Sequence, residues 1–193
     1  MPEQYHRADR HRWTALLACA LTLATPQVSA SEGASEYEIK AAFLFNFSKY
    51  VEWPDGAFLG PADRIVICVL GDNSFGNLLG DAVNAKKVNG RQLVLREVKS
   101  VSETAGCHIV FIASSEQARL DEILGSLADH PVLTVSDGAP VANRNVILRL
   151  TVSDNRVRFE VDLSAARRAG LRLSSQLLKV ASRVIGQSEQ HAK

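Results

Sequence analysis

Cysteine is scarce in this 193-residue chain: there are three, and no two of them form the C-x-x-C motif of a thiol oxidoreductase. A P-loop, a G-x-G-x-x-G fingerprint and a G-x-S-x-G elbow are also missing. His108 and His130 are isolated and have no second ligand at the spacing of a metal site. These absences argue against an enzyme, so we expect no catalytic residue, no metal and no cofactor.

An excess of charge of one sign is missing as well. The chain has 22 lysines and arginines against 21 aspartates and glutamates, and residues 31–193 hold 19 of each, because Arg7, Arg10, Arg12, Glu3 and Asp9 precede them. A balanced charge gives no electrostatic reason to bind nucleic acid or an anionic membrane. We therefore expect no nucleic-acid partner.

The first 30 residues have the pattern of a secretory signal peptide. Three arginines precede the uncharged run WTALLACALTLA, and VSA at 28–30 supplies small residues at the usual cleavage spacing. The run is shorter than the roughly 20 apolar residues that span a bilayer. LLAC at 16–19 partly resembles a lipoprotein box at Cys19, but it leaves a very short apolar segment. We expect cleavage after Ala30, export, and a single domain over residues 31–193.

Export would leave two cysteines, Cys68 and Cys107. An even pair in an oxidising compartment indicates a disulfide. Such a bridge would close a loop of about 40 residues and stabilise the domain by about 4 kcal/mol. The alternative is two buried thiols, since free cysteine is often a core residue.

Strands and helices alternate after residue 60. Apolar or alternating runs predict strands at 64–71, 91–98, 108–113 and 131–137, and two more within 145–163 joined at the turn SDNR. Helical patterns occupy 75–84 and 114–130, with one or two helices after 163. This order predicts an α/β fold: a doubly wound, mostly parallel sheet flanked by helices, with an antiparallel C-terminal hairpin at one edge. The strand at 108–113 ends in Ala113-Ser114-Ser115, without the aspartate that a response-regulator receiver needs.

The segment before the sheet predicts an unusually aromatic helix. SEYE at 35–38 has the capping-box pattern, and Pro54 ends the helical geometry. One stripe at helical spacing is predicted to face the core: Ile39, Phe43, Phe47 and Tyr50. Phe45 points elsewhere, because successive helical positions differ by about 100°. We expect Phe45 to contact a partner or a second subunit, unless the C-terminal helices cover it.

In doubly wound sheets, ligands bind at the carboxyl ends of the strands. The loops at those ends are rich in small polar residues, and the candidate ligand-binding residues are Asp72, Asn73, Ser114 and Asp137. The same residue types also form turns and helix caps, so a purely structural role stays open.

The C-terminal third has a mixed basic and apolar character. Its basic residues are Arg156, Arg158, Arg167, Arg168, Arg172, Lys179 and Arg183, with Phe159 and Glu160 among them. Mixed patches of this kind suit protein partners. We expect Phe159, Glu160, Arg168 and Arg172 to contribute to such a contact.

Five segments, in this order and spacing, resemble the YfiR-like family of periplasmic proteins. They are EIKAAFLFNFSKYVEWP (38–54), ICVLGDNSFG (67–76), CHIVFIASSE (107–116), VLTVSD (132–137) and VRFEVDLSAARRAGLRLSSQLLKVA (157–181). The first and last are the most specific.

The resemblance implies a periplasmic repressor. The best-understood member binds the periplasmic sensor domain of an inner-membrane diguanylate cyclase and keeps the cyclase inactive. An OmpA-like outer-membrane lipoprotein captures the repressor, which raises cyclic-di-GMP and biofilm formation. The implied partners are such a sensor, the lipoprotein and a second copy in a homodimer. Because members also occur beside histidine kinases, a periplasmic small-ligand-binding protein feeding another sensor is the alternative.

The resemblance also extends to single residues. Cys68 and Cys107 match a family cysteine pair whose redox state is linked to repression. A second family pair falls near Ala142 and Arg149 and is absent here. Glu160 matches a position implicated in repression, and Ala166 stands where the family can have a larger apolar residue.

Overall fold

The fold is described from a computed structural model, over residues 32–60, 62–138 and 145–186. The predicted signal peptide and Ala142 lie outside these ranges. Within them, no helix combines the length and hydrophobicity needed to cross a membrane.

The described residues form five α-helices and ten strands. The helices are α1 (Glu32–Tyr50), α2 (Leu78–Val83), α3 (Leu120–Leu127), α4 (Leu163–Arg168) and α5 (Ser175–Val180), with 3-10 turns at Val101–Thr104 and Ser114–Arg119. The strands are β1 (Val51–Glu52), β2 (Ile65–Leu70), β3 (Lys87–Val88), β4 (Arg91–Val98), β5 (Ile109–Ile112), β6 (Leu133–Asp137), β7 (Leu148–Ser153), β8 (Arg156–Asp162), β9 (Arg172–Leu173) and β10 (Arg183–Ile185).

Eight strands form one mixed sheet in the order β10-β8-β7-β6-β5-β2-β4-β3, and β1 pairs separately with β9. The neighbours from β4 to β7 are all parallel. Their chain order gives the 2-1-3-4-5 arrangement of flavodoxin-like folds. The predicted α/β fold with a mostly parallel sheet is therefore confirmed.

The predicted hairpin is β7–β8, which is antiparallel. Its turn residues Asp154 and Asn155 have φ values of 51° and 57°, the left-handed geometry that two-residue hairpin turns require. The hairpin is not at the edge of the sheet, however. Residues 183–185, predicted as helix, form β10 and pair in parallel with β8, so the helical prediction there was wrong.

Two hydrophobic cores lie on opposite faces of the sheet. The larger contains residues of α1, α2, α4 and α5. The smaller is covered by α3, whose buried residues are the predicted Leu120, Ile123, Leu124 and Leu127. Helices on both faces are what a doubly wound sheet requires.

Two details of the prediction for α1 were wrong. The helix begins at Glu32, so Ser35 is inside it and is not its N-cap. Of the predicted stripe, Phe47 is buried and Phe43 and Tyr50 pack against the larger core, but Ile39 is 43% exposed. Lys40 and Ser48 are buried as well, which a purely hydrophobic pattern does not predict.

Candidate functional site

The crevice between the carboxyl ends of β2 and β5 is the usual ligand position in a 2-1-3-4-5 sheet. Here the chain itself packs closely across it. Gly71 follows β2 with φ +95°, and a Cβ there would lie 2.6 Å from Ser115 Oγ and 2.7 Å from Glu116 Cγ. The Asp72 N–H donates to Ser115 Oγ at 3.0 Å. The turn after β5 is thereby held against the loop after β2.

The four predicted ligand-binding residues lie along this same edge. Two of them, Asn73 and Asp137, already form side-chain bonds within the protein. The Asn73 amide nitrogen donates to Glu97 Oε1 at 2.6 Å, and its oxygen accepts from the Phe75 N–H at 3.0 Å. Asp137 is buried in an ion pair, while Asp72 and Ser114 are exposed. The expected N-cap bond from Ser114 is absent in this part of the chain, where the first turn is 3-10. Ligand binding by these residues stays a prediction.

A buried polar network connects α1 to the end of β6. Lys40 Nζ donates to Asp137 Oδ1 at 2.5 Å, and the Tyr37 hydroxyl donates to Asp137 Oδ2 at 2.8 Å. Glu36, one turn before Lys40, forms a second ion pair with its ammonium group. Gln117 Nε2 donates to the Asp137 carbonyl oxygen at 2.7 Å. Lys40 and Asp137 are each 3% exposed, so the charges satisfy one another inside the protein.

The network shifts two pKa values. Burial alone would lower the pKa of Lys40, but its bonds to Asp137 and Glu36 outweigh burial and raise it. Burial raises the pKa of Tyr37, and the bond to Asp137 acts in the same direction. Both groups therefore keep their protons at neutral pH: the lysine stays charged and the tyrosine stays a hydrogen-bond donor.

The predicted disulfide joins Cys68 in β2 to Cys107, two residues before β5. Both cysteines are buried within the core on the α3 side of the sheet. Arg96 on β4 places Nη2 2.9 Å from Cys107 Sγ and donates to the Ala105 carbonyl at 2.7 Å. The bridge therefore fastens the segment just before β5 to β2.

His108 has a structural role, in agreement with its isolated position in the sequence. Its Nδ1 accepts from the Val66 N–H at 3.2 Å, and its Nε2 lies 3.1 Å from the Ala57 carbonyl oxygen. The ring stacks on Phe58 with centroids 4.4 Å apart. Burial lowers the pKa of His108, and the nearby Arg91 acts in the same direction, against the bond to Ala57. These bonds fit the neutral tautomer with its proton on Nε2.

The predicted C-terminal partner residues have different surroundings. Glu160 Oε2 pairs with Arg149 at 3.1 Å, Arg168 donates to Asn145 Oδ1 at 3.0 Å, and Arg172 pairs with Glu52 at 2.9 Å. Arg168 and Arg172 are exposed, and Glu160 is half-buried.

Phe159 was predicted to contact a partner at the surface, but it is buried in the core. It is 2% exposed, and its ring lies 5.1 Å from that of Phe47 and 5.4 Å from that of Phe43. Residues on β8 alternate between the two faces of the sheet, and Phe159 points toward α1. Its ring cannot meet a partner while the domain holds this structure.

Phe45 is half-buried, and two ammonium groups lie over its ring. Lys49 Nζ is 4.1 Å and Lys86 Nζ is 4.5 Å from the ring centroid. The partner contact predicted for Phe45 stays a prediction, and the ring does retain exposed area on the surface of α1.

Sequence reasoning missed Tyr37, Lys40 and Lys86. One signal for Lys40 was available: it stands four residues before Leu44 and seven before Phe47, on the side of α1 that carries large apolar residues. Glu36 at i−4 was a further sign of an ion pair. No local pattern could have paired Lys40 with Asp137, which is 97 residues away.

Comparison with solved structures gives matches at low identity. A conserved domain protein from Vibrio cholerae O1 biovar eltor is 9% identical, with a TM-score of 0.52, and the match covers 77% of this chain and 60% of that one. The ABC domain in complex with L-Trp from Streptococcus pneumoniae is 11% identical, with a TM-score of 0.46, over 63% of this chain and 55% of that one. The chain thus spans less than two thirds of either neighbour, and the first match shows a shared fold alone.

The sequence profile of one family matches most of the chain. It is described as YfiR/HmsC-like, and the match runs over residues 37–182. That range contains the buried network around Asp137, the Cys68–Cys107 bridge and the whole mixed sheet except its last strand. The chain therefore belongs to the YfiR/HmsC-like family.

Proposed function

We propose that this protein is a periplasmic regulator that represses an inner-membrane diguanylate cyclase by binding its periplasmic sensor domain. Repression would lower cyclic-di-GMP and biofilm formation. The family match over residues 37–182 carries the proposal, because this family is regulatory rather than catalytic. Under the proposal, residues 1–30 are removed on export, and residues 31–193 act as one homodimeric domain that an OmpA-like lipoprotein can capture.

Two structural observations support a binding role in an oxidising compartment. The Cys68–Cys107 bridge is of the kind that persists where thiols are not kept reduced. Each buried side-chain nitrogen or oxygen in the described residues has a hydrogen-bond partner within the protein. The buried charges therefore hold the domain together, and recognition is left to the surface.

The test is direct binding in vitro. Residues 31–193 are immobilised and exposed in turn to the purified periplasmic domain of each membrane diguanylate cyclase of the same organism. We expect saturable binding of one of them, and inhibition of that full-length cyclase in inside-out membrane vesicles loaded with the protein. The periplasmic domains of the other cyclases are the controls. Absence of binding together with unchanged cyclase activity would contradict the proposal.

A pocket favours a second candidate, a periplasmic small-ligand-binding protein that feeds another sensor such as a histidine kinase. The pocket has a volume of about 640 Å³ and is lined by Ala57, Val101, Cys107, Leu127 and Pro131, among others. It lies at the amino-terminal ends of β5 and β6, opposite the predicted ligand residues Asp72, Asn73, Ser114 and Asp137. Titration calorimetry against nucleotides and amino acids tests it, and the absence of heat with every compound would remove it.

A further inference from the structure

Two lysines from different parts of the chain meet at one aromatic ring on the surface. Phe45 and Lys49 are on α1, and Lys86 is in the loop between α2 and β3. Because both ammonium groups lie within 4.5 Å of the centroid of the Phe45 ring, they are less than about 9 Å apart. At that separation like charges still repel, since the Debye length is about 8 Å at physiological ionic strength.

The position of Lys86 is set by its backbone. Its N–H donates to the Val83 carbonyl at 3.1 Å, and its carbonyl accepts from the Leu93 N–H at 3.2 Å. Ala85 immediately before it has φ 56°, a left-handed conformation that is costly for a residue with a Cβ. The turn therefore presents Lys86 to Phe45 at some energetic cost.

Neither ammonium group has a carboxylate within 4.0 Å in the part of the chain that the structure describes. Lys49 Nζ donates to the neutral Asn46 side chain at 3.1 Å. Of the predicted arginines of the C-terminal region, Arg172 pairs with Glu52, and Arg168 donates to the neutral Asn145 side chain. Lys49 on α1 and Lys86 in the loop after α2 are thus two positive charges beside one aromatic ring, without a carboxylate of the described residues to compensate them.

We propose that Phe45, Lys49 and Lys86, here called the Phe45 patch, form the docking site for an acidic segment of the sensor's periplasmic domain. A carboxylate of that segment would lie between the two ammonium groups, where it relieves their repulsion, and a neighbouring apolar side chain would pack on the exposed part of the Phe45 ring. Ala42, one turn before Phe45, is exposed and offers only a methyl group, so the ring stays accessible from that side. The inference rests on the proposed function, whose partner class it adopts.

The test uses the full chain in a strain that lacks the chromosomal gene. The charge-reversal variant is Lys49→Glu/Lys86→Glu. Its matched control is Lys87→Glu/Lys99→Glu, which makes the same charge change at two exposed lysines outside the patch. Each version also carries a photo-crosslinking amino acid at position 42. Cyclic-di-GMP is measured, crosslinked peptides are sequenced, and thermal unfolding is measured on each purified protein.

We expect the wild-type chain and the control to restore low cyclic-di-GMP and to crosslink to an acidic segment of the cyclase's periplasmic domain. The charge-reversal variant should melt like the wild type, lose the crosslink and weaken binding to that domain by about tenfold or more. If deletion of the gene raises cyclic-di-GMP but the charge-reversal variant represses fully, the docking site is wrong while the proposed function stands. If deletion changes nothing, the proposed function itself fails, and the inference with it.

Two further measurements would detect a different binding partner at the Phe45 patch, and a positive result in either would overturn the inference. One is flotation of the wild-type protein, but not of the charge-reversal variant, with vesicles containing phosphatidylglycerol, which would assign the patch to a membrane surface. The other is conversion of a wild-type dimer to a monomer by the charge reversal, measured by light scattering, which would assign the patch to a second copy of the chain.

Discussion

Lys40 on α1 and Asp137 at the end of β6 form a buried ion pair, with Nζ 2.5 Å from Oδ1 and only 3% of each residue exposed. The pair fixes the first helix of the family domain to one end of its sheet across 97 residues of sequence. Taking two charges out of water is costly, so the bond stabilises the fold only while both partners are present.

Removing the Asp137 carboxylate should therefore destabilise the fold strongly. Asp137→Ala leaves Lys40 without its buried carboxylate partner and Tyr37 without its acceptor. We expect the free energy of unfolding to fall by about 3–5 kcal/mol. Asp72→Ala, at an exposed aspartate on the same edge of the sheet, should change it by no more than about 0.5 kcal/mol. Lys40→Met/Asp137→Leu should recover most of the loss, because the double variant buries no charge. Urea denaturation measures all three, and equal effects of Asp137→Ala and Asp72→Ala would refute the role of the pair.

The same network predicts a loss of stability at alkaline pH. The pKa values of Tyr37 and Lys40 are raised above their ordinary values of 10.0 and 10.5. Their stabilising contribution is thus complete below about pH 10 and is lost as the pH rises through the folded-state pKa values. Tyr37→Phe removes one of these groups and should flatten the decline of the urea midpoint between pH 9 and 11. A decline as steep as that of the wild type would argue against a contribution from Tyr37.

His108 predicts a loss of stability at acidic pH. Its pKa is lowered from 6.5 because the ring is buried, and the nearby Arg91 acts in the same direction. Its contribution is complete above about pH 6.5 and is lost as the pH falls through the folded-state pKa, since protonation of Nδ1 breaks the bond from the Val66 N–H. His108→Gln should lower stability at pH 7.5 and also reduce its dependence on pH between 7 and 5. NMR titration of the His108 ring protons gives the pKa directly, and a value at or above 6.5 would contradict this account.

Loss of the disulfide should lower the stability of the domain, because the unfolded chain gains conformational entropy without the bridge. The bridge closes 39 residues of sequence, and the chain-entropy model gives about 4 kcal/mol for a loop of that length. Cys68→Ser/Cys107→Ser should therefore lower the urea midpoint, and dithiothreitol should lower that of the wild type but leave the double variant unaffected. A wild-type midpoint that does not respond to dithiothreitol would show that the bridge contributes nothing.

Phe159 should act through the core and not through a partner. Its ring packs against those of Phe43 and Phe47, so Phe159→Ala should lower the free energy of unfolding by about 3–5 kcal/mol. Phe159→Leu, which keeps most of the volume, should cost less and preserve binding of the sensor domain. If Phe159→Ala left the unfolding curve unchanged but abolished binding, Phe159 would be a contact residue and not a core residue.

The sequence was informative where short-range physics decides the structure. β2 and β4 were predicted within one residue and the β7–β8 hairpin within three, because buried β-branched runs and an Asp-Asn turn are local signals. The inner face of α3 followed from apolar residues at helical spacing.

The errors occurred where contacts between residues far apart in the sequence determine the structure. Val184 and Ile185 continued a helical pattern, yet Arg183–Ile185 pairs with β8 as a strand, because an edge partner was available there. The burial of Lys40 was not predicted, because its carboxylate partner comes from β6. Lys86 reaches the Phe45 ring through the packing of the α2–β3 loop on α1, for which the sequence carries no spacing signal.

The central claim is that this domain represses a membrane diguanylate cyclase from the periplasmic side. The most direct test is the cellular concentration of cyclic-di-GMP in three strains: the parent, a deletion of this gene, and the deletion that also lacks the membrane cyclase whose periplasmic domain binds the protein. The account predicts that deletion raises cyclic-di-GMP several-fold and that removal of the cyclase restores the parental level. An unchanged concentration in the deletion strain would contradict it.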